Sequence, residues 1–376
     1  MKKLILGILY ILISACISIY SIFKADYNWD VIGYVGTVYS LEIHDTNSVH
    51  QKTYESIKNT LNDDNFARLT TNNKYKEELT KCAKCFYQTL PFYKIKPLYI
   101  LLIYFLYKLN INIVLSPLLI SGIFYFLSCI IIYIWLSKIF NNTIFIFFIA
   151  ILFIILPYLS YSASICTPDS LSCYIILIAV YFLIIKRSLN LFLVLMILSV
   201  FARPDNILLF AILTGILLLN KEYGQKKAYI IISFIIGILL AGIINTWSGN
   251  YGYSTIFYHS FIERLTTPAD FNAQFDLSMY KTGMKKWYHI VDKTIVYIQM
   301  VIFFITVLVK FFVLKERLSN FKFLILMAMG SSIIVHYIFF PLLDNRFFLA
   351  QYIIINLFFL KTIQQVITTQ KQLKKV

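Results

Sequence analysis

The stretch LILGILYILISACISIYSIFKADYNWD, residues 4–30, joins a long apolar run to two carboxylates. The apolar part, Leu4 to Phe23, has the roughly 20 residues that a helix needs to cross the hydrocarbon core of a membrane. Asp26 and Asp30 follow it directly. Because a carboxylate at the mouth of a membrane span is costly to keep near lipid, such a residue indicates a functional site.

Charged residues also stand at the ends of three later apolar runs. In Thr167-Pro168-Asp169, the threonine has the place of a helix N-cap, and the aspartate lies in the first turn, where negative charge is favourable. Asp169 is therefore either part of a well-made helix start or a group that faces a charged substrate. The other two ends carry an arginine and an aspartate each: Arg203 and Asp205 on either side of Pro204, and Arg346 close to Asp344.

The composition is that of a helical membrane protein. Of the 376 residues, 59% are hydrophobic and 14% are charged, whereas a soluble domain has roughly 25% charged residues. The apolar runs do not alternate polar and apolar residues as the strands of a transmembrane barrel do. The first run has no small-residue cleavage site followed by a soluble domain, so we expect it to be a retained span rather than a signal peptide.

Ten membrane spans account for the apolar runs: 4–23, 112–137, 144–161, 169–185, 189–202, 205–219, 228–247, 294–314, 323–340 and 347–362. Both termini then lie on one side, which carries 16 basic and 2 acidic residues, a net of 16 − 2 = +14. The other side holds the rest of the 34 basic and 18 acidic residues, a net of 18 − 16 = +2. Basic residues collect on the cytoplasmic side of membrane proteins, so this asymmetry predicts cytoplasmic termini. The formal charge of +16 is thus a topology signal, and we expect no nucleic-acid partner.

This topology predicts a single polytopic membrane domain, residues 1–362, followed by a basic cytoplasmic tail at 363–376. Two substantial segments, 24–111 and 248–293, lie on the outer side, whereas the inner loops are short. Recognition or chemistry is therefore expected on the outer face. The chain shows no internal repeat, which disfavours a secondary transporter built from paired halves.

The first outer segment is expected to fold on the membrane surface. A helix is predicted at about Ser48–Leu61, followed by a turn at Asn62–Asn65. The run Ile100–Leu109 is short for a span and is predicted to be an interfacial helix against the outer leaflet. Between these elements, Cys82 and Cys85 form a CxxC pair. It permits a disulfide on the outer side and is a weak zinc signal without a second pair.

Asp30 and Asp26 are the candidate catalytic residues. If the first helix continues past Lys24, residues four apart share a face, so both carboxylates can point at one spot. One can then act as general base on an acceptor hydroxyl, while the other positions it or binds a divalent cation such as Mg²⁺ or Mn²⁺. The alternative is a solvated helix end with ordinary polar residues.

Arg203 and Arg346 need partners, because an unpaired charge near lipid is costly. Each either pairs with its neighbouring aspartate or presents a planar fork of donors to a lipid phosphate. His336, within a span, is expected to be a hydrogen-bonded core histidine. The chain has no glycine-rich phosphate loop, nucleophile elbow or HExxH motif, which disfavours a soluble nucleotide as donor.

In their order along the chain, these elements resemble the C-type (GT-C) membrane glycosyltransferases, the class that includes protein and lipid A sugar transferases. The matching features are the acids Asp26 and Asp30 after the first span, Lys96-Pro97-Leu98-Tyr99 before a juxtamembrane helix, Asp169 at the start of a span, the Arg203-Pro204 turn, and Arg346 before the last span. The layout covers about residues 1–362. The chain departs from the class in two ways. Its two acids are four residues apart instead of adjacent or separated by one, and no proline follows the late arginine.

The resemblance implies an inverting sugar transferase, an all-α protein of the bacterial inner membrane with its active face towards the periplasm. Asp30, assisted by Asp26, would deprotonate the acceptor hydroxyl, and the phosphate of a polyprenyl-phosphate-linked donor would leave. Residues implied on the donor side are Lys96, Tyr99, Asp169, Arg203 and Arg346. The implied partners are this donor, membrane lipid, and a glycan, lipid or protein acceptor, with a divalent cation as cofactor. Rival functions are a transporter or flippase, a surface-polysaccharide polymerase and a membrane acyltransferase.

Overall fold

The computed structural model of the protein describes residues 2–272, 274–290, 292–317 and 319–373, and these residues are all-α, with no strand. Their α-helices are α1 (Lys2–Phe23), α2 (Asp30–Tyr39), α3 (Thr46–Thr60), α4 (Asp63–Thr70), α5 (Lys74–Lys81), α6 (Ala83–Thr89), α7 (Pro91–Lys94), α8 (Pro97–Lys108), α9 (Ser116–Ile139), α10 (Thr143–Ile154), α11 (Pro157–Ser162), α12 (Asp169–Ile184), α13 (Leu189–Ala202), α14 (Asn206–Leu219), α15 (Lys227–Ser248), α16 (Tyr253–Phe257), α17 (Leu277–Ile290), α18 (Thr294–Leu308), α19 (Phe321–Phe339) and α20 (Leu349–Leu373). Short 3₁₀ turns lie at Lys221–Lys226, Pro268–Asp270 and Asn345–Phe348, and π turns at Tyr258–Ile262 and Val309–Val313.

The protein is a multi-pass membrane protein. In the described residues, six helical segments are long and apolar enough to cross a membrane, and a seventh crossing results if the pair Ala83–Lys94 and Pro97–Lys108, bent by 111°, is one span. The long apolar helices leave large hydrophobic side chains such as Leu12, Leu239 and Phe304 exposed, as is typical of surfaces that face lipid. The six segments are Lys2–Phe23, Ser116–Ile139, Lys221–Ser248, Thr294–Val313, Phe321–Phe339 and Asn345–Gln372.

Helices lie at all ten predicted spans, but one of the spans was predicted as a single helix and is not one. Residues 144–161 are not one helix, because the chain breaks between α10 and α11 at Pro157. Proline lacks the amide N–H that a continuous helix needs, and it favours an extended conformation at the residue before it. Leu156 has that conformation, with φ −56° and ψ 128°. Helices α10, α12, α13 and α14 are shorter than the six long segments, so the number of crossings stays a prediction.

Helix α12 lies at the centre of the membrane part. It packs against α9, α13 and α20, and most of its side chains are buried. A helix that is apolar on all sides is stable only when other helices surround it, which explains the unbroken hydrophobic sequence after Ser172. The first residue of α12 is Asp169, so the centre of the bundle ends in a carboxylate.

The first outer segment folds as the short helices α2 to α8 around a second apolar core, which it shares with the ends of α9, α12 and α13. The side chains of Asp45, Asn62 and Asn73 accept hydrogen bonds from backbone amides and so cap α3, α4 and α5. The helix predicted at Ser48–Leu61 is confirmed as α3. The turn predicted at Asn62–Asn65 is wrong, because Asn62 starts a new helix there.

Close packing fixes the start of α2. A Cβ atom on Gly33 would lie 2.3 Å from the ring of Tyr93, and one on Gly36 would lie 2.5 Å from the ring of Phe86. Only glycine permits helices to approach this closely. Asp30, the first residue of α2, is therefore held in a defined position relative to α7.

The second outer segment packs on the first. The hydroxyl of Tyr251 donates to the carbonyl of Gln88 at 2.8 Å, and the hydroxyl of Thr266 donates to the carboxylate of Glu78 at 2.9 Å. Both outer segments therefore lie at the same end of the helices. Together they form a layer over the outer end of the bundle.

The structure also bears on the CxxC pair and on the predicted C-terminal tail. Cys82 and Cys85 form a disulfide, which leaves no thiolate there for zinc. Helix α20 continues from the last predicted span without a break to Leu373, into the tail predicted at 363–376. Residues 374–376 lie outside the described residues.

Candidate functional site

Charged residues at separate helix ends meet under the outer layer. Asp30 and Asp169 are the first residues of α2 and α12, and Asp205 immediately precedes α14. A carboxylate is favourable at a helix N-terminus, where the backbone N–H groups have no partner in the helix. Arg203 follows α13, and Arg346 lies in the 3₁₀ turn before α20. The two arginines connect the carboxylates into one network.

The Arg203 cluster consists of Arg203, Asp169, Asp205 and His336. The Nε and Nη2 atoms of Arg203 lie 3.1 and 2.8 Å from the two oxygens of Asp205, and Nη1 binds Asp169. Asp205 also lies 3.2 Å from Nε2 of His336, and Asp169 accepts a hydrogen bond from the Thr167 hydroxyl at 2.7 Å. Every guanidinium nitrogen of Arg203 thus contacts a carboxylate, and the side chain is only 10% exposed.

Three expectations bear on this cluster. Arg203 pairs with Asp205, which is the intrachain alternative of the sequence analysis. The expectation that His336 is a hydrogen-bonded core histidine agrees with its contact to Asp205. Thr167 is not the N-cap of α12, because Pro168 occupies that position, and the threonine hydroxyl binds the Asp169 side chain instead.

The Arg346 cluster consists of Arg346, Asp30 and Asp344. The Nε atom of Arg346 lies 2.9 Å from a carboxylate oxygen of Asp344 and 3.9 Å from Asp169, and Nη1 lies 3.6 Å from Asp30. Its guanidinium also packs on the ring of Phe347, with 5.2 Å between Cζ and the ring centroid. The side chain of Arg346 is 26% exposed, so this cluster is more open than the Arg203 cluster.

Asp30 is oriented by two neighbours and still reaches solvent. It accepts a hydrogen bond from Nδ2 of Asn28 at 2.8 Å and faces Arg346, while 30% of its side chain is exposed. The amide oxygen of Asn28 is buried and has no hydrogen-bond partner in the described part of the chain. An oriented carboxylate that stays accessible is what a general base requires.

Asp26 does not join this network. Helix α1 ends at Phe23 and residues 25–28 are not helical, so the expectation that Asp26 and Asp30 share a helix face is wrong. Asp26 instead accepts hydrogen bonds from Nη1 of Arg68 at 2.8 Å and from the hydroxyl of Tyr161 at 3.1 Å. It ties the first outer segment to α11.

The residues near Asp30 do not fit the expected divalent cation. In the described ranges, no group of three or more His, Cys, Asp and Glu side chains is arranged to hold a metal ion. The carboxylate of Asp26 is engaged with Arg68 and Tyr161, so it does not complete a site with Asp30.

Lys96 lies at the bend between α7 and α8, next to the clusters. Its Nζ atom is 3.1 Å from the hydroxyl of Tyr34 and lies 5.3 and 5.6 Å from the ring centroids of Tyr34 and Tyr93. No described carboxylate forms an ion pair with it. Tyr99, by contrast, is fully buried, and its hydroxyl donates to the carbonyl of Pro117 at 3.1 Å. It supports the bend rather than facing a cavity.

Three sizeable cavities in the described part of the chain border these residues. The outer cavity, of about 680 Å³, is lined by Asp30, Arg346 and polar and aromatic side chains of both outer segments. The Lys96 cavity, of about 280 Å³, is lined by Lys96, Arg203, His336 and mainly apolar side chains, several of them from α15. The α1 cavity, of about 720 Å³, is lined mainly by apolar side chains of α1 and α11 and meets the outer cavity at Arg346.

Several residues of this region did not stand out in the sequence as candidates for the site. Asn28 lies two positions before Asp30, and Tyr34 lies four positions after it. Their closeness to Asp30 in the sequence could have indicated both residues. Three basic residues of the outer cavity belong to no motif, and only the fold brings them together: Lys74 and Lys76 of α5, and Arg264 of the second outer segment.

Comparison with known protein families, with curated proteins and with solved structures finds no match to this chain.

Proposed function

We propose that the protein is a C-type membrane glycosyltransferase that transfers a sugar from a polyprenyl-phosphate-linked donor to an acceptor hydroxyl. The observation that carries the proposal is the convergence of Asp30, Asp169, Arg203 and Arg346. They come from four separate segments, and they form one network beside a polar cavity of about 680 Å³. The order of these residues in the sequence is also the basis of the resemblance.

Asp30 is the proposed general base. It borders the outer cavity, and Asn28 and Arg346 orient its carboxylate. In the proposed reaction, Asp30 takes the proton of an acceptor hydroxyl, and the hydroxyl oxygen attacks the anomeric carbon of the donor sugar. The bond between that carbon and the phosphate oxygen breaks, polyprenyl phosphate leaves, and the anomeric configuration inverts. A general base of this kind accelerates a reaction by roughly 10²–10⁴-fold.

Lys96 and Arg346 are the proposed partners of the donor phosphate. Lys96 has no carboxylate partner among the described residues and borders an apolar cavity, so an anionic phosphate with an apolar chain complements it. Arg346 is proposed as the weaker partner of the phosphate, because it already faces the carboxylates of Asp30, Asp169 and Asp344. Stabilisation of the departing phosphate by groups that are already in place is the main contribution expected of the protein.

The Arg203 cluster has a supporting role in this proposal. Arg203 pairs with both Asp169 and Asp205, and Asp169 in turn lies 3.9 Å from Arg346. The cluster therefore helps to hold Arg346, which in turn faces Asp30. Its charges stand at helix ends rather than along a path through the helices, which favours a transferase over a transporter or flippase.

The proposed location is the bacterial inner membrane, with cytoplasmic termini and the site on the periplasmic face. The excess of basic residues on the other side supports this orientation. The Cys82–Cys85 disulfide in the first outer segment also supports it, because disulfides persist in oxidising compartments.

Mass spectrometry of lipid-linked sugars and surface glycans tests the proposal. A strain that lacks the protein is compared with the same strain carrying the wild-type chain or the Asp30→Asn variant. We expect the deletion and the variant to accumulate one polyprenyl-phosphate sugar and to lose that sugar from a surface glycan. Identical profiles in all three strains would remove the proposal.

A further inference from the structure

The outer cavity has a surplus of positive charge. Its lining contains four basic and two acidic residues, a net of 4 − 2 = +2. The charge of Arg346 is balanced by Asp30 and Asp344. The surplus belongs to three cations that form no ion pair within the described ranges: Lys74, Lys76 and Arg264.

One of these cations, Lys76, is held by a group that does not neutralise it, and the backbone beside a second, Arg264, is fixed. The Nζ atom of Lys76 donates to the carbonyl of Arg68 at 2.9 Å, and burial together with the charge of Arg68 lowers the pKa of Lys76. The residue after Arg264 donates its backbone amide to Nδ1 of His259 at 3.0 Å, which fixes the backbone next to the guanidinium. An anion in the cavity would supply the opposite charge that these three cations lack among the described residues.

The rest of the lining suits a sugar. The rings of Trp29, Tyr75, Tyr93 and Tyr161 border the cavity, and those of Trp29 and Tyr75 are in edge contact at 6.0 Å. Aromatic faces carry partial negative charge and attract the C–H groups on the apolar face of a sugar ring. Asn28 also lines the cavity, and its amide oxygen has no hydrogen-bond partner among the described residues.

We infer that the outer cavity binds a saccharide that carries a phosphate or a carboxylate, and that this acidic saccharide is the acceptor of the transfer. The binding follows from the cations and rings of the cavity, and the role as acceptor rests on the proposed function. Lys74, Lys76 and Arg264 bind the anion, and the rings hold the sugar. Asp30 lines the same cavity, so a hydroxyl of the bound saccharide meets the proposed base.

Binding of three matched sugars tests the inference. The wild-type protein in nanodiscs of phosphatidylcholine is titrated with glucose, glucuronic acid and glucose 6-phosphate, and binding is followed by saturation-transfer NMR. We expect both acidic sugars to bind at least about tenfold more tightly than glucose, the scale of one charge-assisted hydrogen bond. The stronger of the two identifies the anion as carboxylate or phosphate. Equal affinities for all three sugars, or no binding of the acidic sugars, would overturn the inference.

Substitutions show whether the cavity is the binding site. Arg264→Gln, alone and together with Lys74→Gln and Lys76→Gln, should weaken the acidic sugars about tenfold or more and leave glucose unchanged. The matched control is Lys81→Gln with Lys84→Gln, two exposed lysines of the same segment that do not line the cavity. If the control weakens binding as much as the cavity variants do, the preference is a general surface effect and the inference is wrong.

Two further probes separate the sources of the anion. Inorganic phosphate that binds as tightly as glucose 6-phosphate would reduce the cavity to an anion site without sugar recognition. Displacement of glucose 6-phosphate by a short-chain prenyl phosphate would assign the cations to the donor instead of the acceptor. The binding assay does not depend on catalysis. Tight binding of an acidic sugar combined with an inactive protein would therefore contradict the proposed function and leave the binding site standing.

Discussion

The Arg203 cluster and the outer cavity hold charge in opposite ways. In the cluster, Arg203 is 10% exposed and each of its nitrogens contacts a carboxylate. In the cavity, three cations lack a carboxylate partner within the described residues, and Asp30 is 30% exposed. Burial makes an unpaired charge costly, so the charged groups of a buried cluster must pair with each other. In an open cavity, a charged group can stay unpaired and available to a ligand. The comparison separates residues whose loss should damage the fold from residues whose loss should damage binding.

The largest expected effect on stability is that of Arg203→Leu. It leaves Asp169 and Asp205 buried without their partner, and the loss of one member of a buried ion pair costs about 3–5 kcal/mol. This loss of stability is measured as the change in the free energy of unfolding in detergent. The control is Arg187→Leu. This arginine is 73% exposed, and its only described ion pair, with Glu222, spans 3.7 Å, so its loss should change the free energy of unfolding little. Similar values for the two variants would erase the distinction between cluster and cavity.

Arg346→Ala should reduce the transfer rate at limiting donor by roughly 10²–10³-fold, the scale for the loss of one group that stabilises developing charge. Stability should fall less than in Arg203→Leu, because Asp30 and Asp344 remain 30% and 36% exposed. Arg346→Lys should restore activity only in part, since a single ammonium lacks the planar fork of the guanidinium. A steady-state transfer assay, with thermal unfolding alongside, provides both readouts. Normal transfer by the alanine variant at limiting donor would exclude Arg346 from the site.

Lys96→Gln should raise the KM for the donor about tenfold with little change in the unfolding temperature. The matched control is Lys94→Gln, because Lys94 lies over the ring of Trp247 at 4.5 Å and does not line the Lys96 cavity. This pair of results would support the proposal that the donor lipid lies in the Lys96 cavity. If Arg346→Ala raises the KM and Lys96→Gln does not, the lipid instead occupies the α1 cavity.

The smallest effect is a pH dependence of the outer layer through His259. The ring of His259 packs between Phe92 and Tyr75, and burial, together with the nearby charge of Arg264, lowers its pKa from 6.5 to about 3. The unfolded chain therefore binds a proton below about pH 6.5 that the folded protein does not, and stability is lost as the pH falls from 6.5 towards 3. Thermal unfolding at neutral pH and at about pH 5 should show a larger acid-induced decrease for wild type than for His259→Asn. An equal decrease in both proteins would exclude His259 as the cause.

Much of the fold could be predicted from local sequence. Apolar length located the membrane helices, and the residues at their ends located Asp30, Asp169, Arg203 and Arg346 as one group. The break between α10 and α11 could also have been predicted, because it is caused by a single residue, Pro157. These features depend on residues close together in the chain.

What the sequence could not show depends on contacts between distant segments. Asp26 pairs with Arg68, a residue of α4 that no pattern connects to the end of α1. Lys96 stood out as part of a motif, but its lack of a carboxylate partner in the described residues is visible only once the bundle is assembled. The basic lining of the outer cavity combines α5 with the second outer segment in the same way.

The transfer rates of Asp30→Asn and Asp26→Asn test the central claim most directly. Purified protein in nanodiscs is supplied with a radiolabelled polyprenyl-phosphate sugar, of the kind that accumulates in the deletion strain, and an acceptor, and the release of polyprenyl phosphate is followed. Asparagine keeps the size of the side chain and removes its basicity, so Asp30→Asn should lower the rate by roughly 10²–10⁴-fold with unchanged stability. Asp26→Asn, which weakens an exposed pair with Arg68, should lower it far less. A rate for Asp30→Asn equal to that of wild type would contradict the account.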